Sequence, residues 1–155
     1  MSGPRPIRVL FVCTGNSCRS IFGEALLRTH GGADFEVFSA GTDPKGLNER
    51  SLRTLDEVGI AHPWARSKSV TEYLGQPFDY VVTVCDQARQ VCPVFPGSHE
   101  SLHWGYEDPA EATGTEDEQM AVYHHVFTQM GIRIREFIPI ALRARAEADA
   151  ATTPA

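Results

Sequence analysis

No run of apolar residues in this chain approaches the roughly 20 that a membrane-spanning helix requires. No apolar signal-type stretch precedes the first strand-like segment, since Met1-Ser2-Gly3-Pro4-Arg5-Pro6 is short and polar. Positive charge is not in excess either. Fourteen Lys and Arg against 20 Asp and Glu give a formal charge of -6, which removes the electrostatic case for nucleic acid or an acidic membrane as partner. Cysteine is sparse: four in 155 residues do not make a disulfide scaffold of the small secreted kind. Internal repeats and domain linkers are missing as well. One domain is therefore expected over residues 1–145, with the Ala-rich segment 146–155 frayed or disordered. The expected setting is the cytoplasm, with no membrane and no nucleic-acid partner, and the expected state is a monomer.

What the chain does have is Val12-Cys13-Thr14-Gly15-Asn16-Ser17-Cys18-Arg19-Ser20, following the apolar run Ile7 to Val12. A buried strand ends, a short Gly-containing loop turns, and a helix begins at about Arg19. In that geometry backbone N–H groups converge on an anion. Thr14, Gly15, Asn16, Ser17, Cys18 and Arg19 are the candidate oxyanion-binding residues. Cys13 stands at the start of the loop as a candidate nucleophile, because amides, a helix start and a guanidinium all favour a thiolate. Arg19 closes the loop five residues later, and its planar fork can hold two oxygens of a tetrahedral oxyanion.

The remainder alternates strands with helices. Ile7 to Val12, Phe35 to Ser39, Phe78 to Cys85 and Ser98 to Trp104 read as strands. Helices are expected over Arg19 to His30, from an Asn48 cap to Gly59, over Val70 to Leu74, and over Gln87 to Val91 with Asp86 as cap. A long final helix starts at Thr115, with acidic residues in its first turn. Its buried stripe is read as Val122, Val126, Met130, Ile134, Phe137 and Ile138. This pattern predicts an α/β fold with a small open four-stranded parallel sheet flanked by helices. Such sheets bind ligands beyond the carboxyl ends of their strands. Cys13 and Cys85 stand at two such ends.

Cys85 and Cys92 are seven residues apart, about two helical turns, so a bond between them would need local unwinding. Two buried free thiols are the plainer alternative. Metal binding with His99 and His103 is a third, although the cysteine gap is wider than a zinc knuckle, and no metal site is assigned. Asp108, before Pro109, is either a proton donor over the anion loop or one acid in an acidic loop. Cys18 reads as packing.

Taken together, these residues resemble the thioredoxin-coupled arsenate reductases, built on the low-molecular-weight protein tyrosine phosphatase fold. The resemblance runs from about residue 7 to 140. It rests on the Cys13-to-Arg19 loop, on Ser39-Ala40-Gly41, on Gly105-Tyr106-Glu107-Asp108-Pro109, and on Val84-Cys85 with Val91-Cys92-Pro93. It implies catalytic roles for Cys13, Arg19, Cys85, Cys92 and Asp108, with thioredoxin as reductant, arsenate as substrate, phosphate or sulfate as analogues, and no bound cofactor. It also implies loop support from Asn16, Ser20, Glu24 and Ser39. Some members bind potassium beside the loop. Lys68 lies where they carry an acidic ligand, so its ammonium is expected to replace the ion. Where the family often has Gln-Met-Ala-Glu after Arg-Ser, this chain has Ile21-Phe22-Gly23-Glu24. The alternatives are a low-molecular-weight tyrosine phosphatase or small phosphomonoesterase, for which Ala110-Glu111-Ala112 lacks the expected tyrosines, and a binding-only oxyanion sensor.

Overall fold

The computed structural model describes residues 5–97 and 99–152. Expectations for Met1–Pro4, Ser98 and Thr153–Ala155 lie outside the described residues. Among the described residues four strands, β1 (Ile7–Cys13), β2 (Phe35–Gly41), β3 (Tyr80–Thr83) and β4 (Glu100–His103), form one sheet in the order β2-β1-β3-β4. All three pairings are parallel, with Val12 opposite both Ala40 and Thr83. β1 is central because its side chains are apolar on both faces: Val9, Leu10, Phe11 and Val12 are all fully buried.

Among the described residues four α-helices flank the sheet: α1 (Arg19–Gly31), α2 (Glu49–Glu57), α3 (Asp86–Val91) and α4 (Glu116–Thr152). α1 and α4 share one face. Phe22 meets Phe127 edge to face at 5.3 Å, and Phe137 of α4 touches Phe35, Tyr80 and Trp104. The opposite face carries the aromatic cluster of Phe38, Tyr73, Phe78 and Phe95. α1 lies close on β1 because residue 23 is glycine. A Cβ there would come within 2.7 Å of the Phe11 ring.

The structure adjusts several boundaries. β3 is shorter than the β-rich sequence suggested. The Asp79 amide and carbonyl still bond Arg8 and Glu100, but at the other end the Cys85 carbonyl accepts from the Arg89 amide and so opens α3. Cys85 therefore lies beyond the strand, at the N-cap of α3. Asp86 is not the cap. It is the first residue of α3, and its carboxylate turns to His103 at 2.8 Å. On α4, Tyr123 is fully buried while Val122 and Ile138 are only half-buried, because the tyrosine's ring joins the stripe and its hydroxyl bonds Asn48. The Ala-rich segment expected to fray from residue 146 is helical as far as Thr152. Alanine is the best intrinsic helix former, and Arg145 ties the segment's start to Asp34 at 2.9 Å. Among the described residues no helix is long and apolar enough to cross a membrane.

Candidate active site

The loop between β1 and α1 is shaped from outside. Thr42 donates to the Cys13 carbonyl at 3.0 Å, Asp43 to Thr14 at 2.8 Å, Lys45 to Gly15 at 3.0 Å and Asn48 to Ser17 at 3.3 Å. A planar trans peptide points its N–H away from its C=O. Engaging those carbonyls with the segment after β2 thus turns the following amides to the opposite side, toward the anion cradle. The Asn16 amide shows the result, donating to Cys13 Sγ at 3.2 Å. Gly41 makes this approach possible. A Cβ there would stand 2.5 Å from the Thr14 carbonyl oxygen and 2.9 Å from the Asn16 nitrogen. Cys18 N-caps α1 without a side-chain hydrogen bond, so no cap side chain occupies the first-turn amides.

Cys13 is buried at the floor of the loop, with Ser20 Oγ 2.9 Å from its sulfur. Asn16 pins the loop from below. It adopts φ 46°, a left-handed conformation that Asn tolerates better than most residues. Its fully buried amide donates to Ser20 Oγ (2.7 Å) and Ser39 Oγ (3.0 Å) and accepts from the Lys68 amide (2.9 Å) and Nζ (3.3 Å). Ser39 in turn donates to Glu24 Oε1 at 2.6 Å, and Arg28 donates to the other Glu24 oxygen at 2.8 Å. Lys68 Nζ sits among the Arg66 carbonyl at 2.8 Å, Ser39 Oγ at 3.2 Å, Asn16 Oδ1 and, at 3.8 Å, Glu24 Oε1. This nest of oxygens suits one positive charge. Burial pulls the Lys68 ammonium below its ordinary value, and Glu24 opposes the shift.

Arg19 opens α1 and donates Nη1 to the Tyr106 carbonyl at 3.0 Å, while Nη2 lies 3.6 Å from Asp108 Oδ2. The chain from Trp104 to Asp108 is drawn to this edge because Trp104 and Tyr106 donate to Thr83 and Val84 at the end of β3. Asp108 also caps the short turn after it, accepting from Ala110 at 3.0 Å. Cys13, Arg19 and Asp108 line one cleft of about 410 Å³. Lys45, Leu47 and Gln87 line it too, and sequence reasoning missed them. The signal was available for the first two. They follow β2, whose carboxyl end must lie beside that of β1 in a parallel sheet.

Thr14 Oγ1 lies 3.3 Å from Cys85 Sγ, so Cys85 borders the loop that holds Cys13. Cys92 is separated from Cys85 by all of α3 and C-caps that helix, half-buried, where desolvation pushes its thiol up. Burial pushes Cys18 up to about 12, leaving it protonated and inert near neutral pH.

The sequence profile of the low molecular weight phosphotyrosine protein phosphatase family matches residues 8–148. An arsenate reductase of Halalkalibacterium halodurans is 40% identical over 129 residues, covering 83% of this chain and 93% of that one. The chain belongs to the arsenate reductase family on that phosphatase fold. Among solved structures, an arsenate reductase in its phosphate-binding state superposes with a TM-score of 0.74 at 25% identity, covering 86% of this chain and 97% of the other. A thioredoxin-dependent arsenate reductase of Corynebacterium glutamicum gives 0.65 at 28% identity, covering 96% of this chain and 65% of that longer one. Within this arsenate reductase family the chain's Ile21-Phe22-Gly23 has a local physical basis. Ile21 and Phe22 are fully buried, and Gly23 supplies the close approach of α1 to Phe11.

Proposed function

We propose that this protein reduces arsenate to arsenite and is itself reduced by thioredoxin. In this reading the loop amides and Arg19 hold the oxyanion while the Cys13 thiolate attacks arsenic. Asp108 protonates the departing oxygen, which leaves as water. Cys85, as thiolate, attacks Cys13 Sγ. The sulfur–arsenic bond breaks with its electron pair passing to arsenic, so arsenic(V) becomes arsenite and a Cys13–Cys85 disulfide remains. Cys92 then attacks Cys85 Sγ and releases the Cys13 thiolate, leaving Cys85–Cys92 for the thioredoxin dithiol to reduce.

The observation that carries this reading is the 3.3 Å approach of Cys85 Sγ to Thr14 Oγ1. A phosphatase, whose phosphocysteine is hydrolysed by water, has no use for a second thiol at that place. The relatives named as arsenate reductases and the thioredoxin-dependent structural neighbour support it further. The same cradle fits phosphate, so slow hydrolysis of small phosphate esters is expected as a side activity. Of the described residues lining the cleft none is aromatic, which speaks against phosphotyrosine as the main substrate. The test is arsenate-dependent NADPH consumption in the presence of thioredoxin and thioredoxin reductase. Turnover that needs all three components, and that Cys13→Ser abolishes, supports the proposal. Phosphate-ester hydrolysis without arsenate-dependent consumption would overturn it.

A further inference from the structure

Resting on the relay just proposed, we infer that Asp86 and His103 form a latch that keeps α3 helical until the second thiol exchange. A helix places its two flanking cysteines, seven residues apart, about 10 Å from each other along the axis. A disulfide needs Cα atoms within roughly 4.4–6.8 Å, so α3 must come apart when Cys92 reaches Cys85. Little in the helix itself resists that. It has six residues, Cys85 gives it no side-chain cap, and only Ala88 within it is buried. So short a helix does not persist on its own propensity.

Asp86 supplies the missing tie. His103 Nε2 stands 2.8 Å from Asp86 Oδ1, and Nδ1 of the same ring stands 2.8 Å from Thr83 Oγ1. A carboxylate only accepts, so Nε2 carries the proton whichever way the Thr83 hydroxyl turns. The first residue of α3 is thereby fastened to β4 and, through the ring, to β3. The backbone beside the pair leaves it just enough room: a Cβ on Gly105 would stand 3.1 Å from Nε2 and 3.3 Å from Oδ1. The Asp86 side chain is 90% exposed, so the contact is weak. Exposed pairs of this kind shift an equilibrium by roughly two- to fivefold. That suits a tie that must open in every catalytic cycle. His103 and Asp86 are positioning residues here, and neither is assigned contact with the oxyanion.

The test compares Asp86→Ala with Asp86→Asn, because Asn keeps an acceptor for His103 while also losing the charge at the helix start. In the reduced protein, hydrogen exchange of the Arg89, Gln90 and Val91 amides should be about two- to fivefold faster in Asp86→Ala and close to wild type in Asp86→Asn. After one addition of arsenate, peptide mapping under non-reducing conditions should show the Cys13–Cys85 bond of Asp86→Ala decaying faster by the same factor. Hydrolysis of p-nitrophenyl phosphate, which needs Cys13 alone of the four thiols, should not change. Equal amide exchange in Asp86→Ala and wild type would overturn the latch, as would an Asn variant no better than Ala. A wild type whose amides obey the latch but which never forms Cys85–Cys92 would overturn the relay, and the redox role of the latch with it.

Discussion

Replacing Asn16 with alanine is expected to destabilise the protein by about 4 kcal/mol, the sum of two separable losses. The side chain is fully buried and makes four hydrogen bonds, to Ser20, Ser39 and twice to Lys68. Taking about 1 kcal/mol for each of the three shorter bonds and little for the 3.3 Å contact gives about 3 kcal/mol. Alanine at φ 46° adds about 1 kcal/mol, since the left-handed region brings its Cβ against the following carbonyl. Against total stabilities of roughly 5–15 kcal/mol this is a large fraction. In urea it corresponds to a fall in midpoint of about 2 M at an unchanged slope near 2 kcal/mol/M. Asn16→Gly removes the same hydrogen bonds without the backbone penalty and should recover about 1 kcal/mol of the loss. A loss below about 1.5 kcal/mol for Asn16→Ala would refute the reading of this side chain as the pin of the loop. Equal losses for Ala and Gly would refute the backbone part of the argument.

Asp108→Asn should slow the single-turnover chemical step by about a hundredfold or more while leaving the phosphate inhibition constant nearly unchanged, because it removes a proton and not a ligand. An unchanged rate would leave Asp108 only its turn-capping and Arg19 contacts. Because Lys68 Nζ occupies the nest of oxygens beneath the loop, exchanging KCl for NaCl at equal ionic strength should alter neither turnover nor the urea midpoint. Potassium-specific stabilisation above about 0.5 kcal/mol would contradict that, being more than ordinary screening explains. Cys18, held at about 12 by burial against 9.0 for a free thiol, favours its neutral form in the folded state. Its contribution is therefore intact below pH 9.0 and lost as pH rises toward 12. Between pH 8.5 and 10.5 the loss of stability should be about 2 kcal/mol smaller in Cys18→Ala than in wild type. Tyr73, Tyr80, Tyr106 and Tyr123, each raised by desolvation, account for a slope that remains. Equal slopes in the two proteins would refute the assignment.

The sheet and the anion loop were legible in the sequence because each depends on local pattern: a first strand apolar apart from Arg8, glycine after a strand, and Arg19 at a helix start. The end of β3 was not, because Val84 and Cys85 are strand-like by residue type but the Cys85 carbonyl accepts from the Arg89 amide, four residues on, and opens α3. Asp86 was misread as a cap for the same kind of reason. Its position favours capping, yet His103, seventeen residues away in sequence, claims its carboxylate. The clamp that the segment after β2 places on the loop carbonyls is made by backbone atoms, which carry no residue signature. The support residues were assigned from resemblance. Their distances, and the Arg28 contact that completes the Glu24 pair, come only with the fold.

In the proposed relay, electrons leave through Cys13, Cys85 and Cys92 in that order. The most direct measurement is non-reducing peptide mapping after a single arsenate turnover without thioredoxin, on wild type and on Cys92→Ser. Wild type should end with Cys85 joined to Cys92 and with Cys13 free. Cys92→Ser should release about one arsenite per protein and stall with Cys13 joined to Cys85. A wild type without the Cys85–Cys92 bond, together with a Cys92→Ser variant that turns over repeatedly with thioredoxin, would contradict the relay.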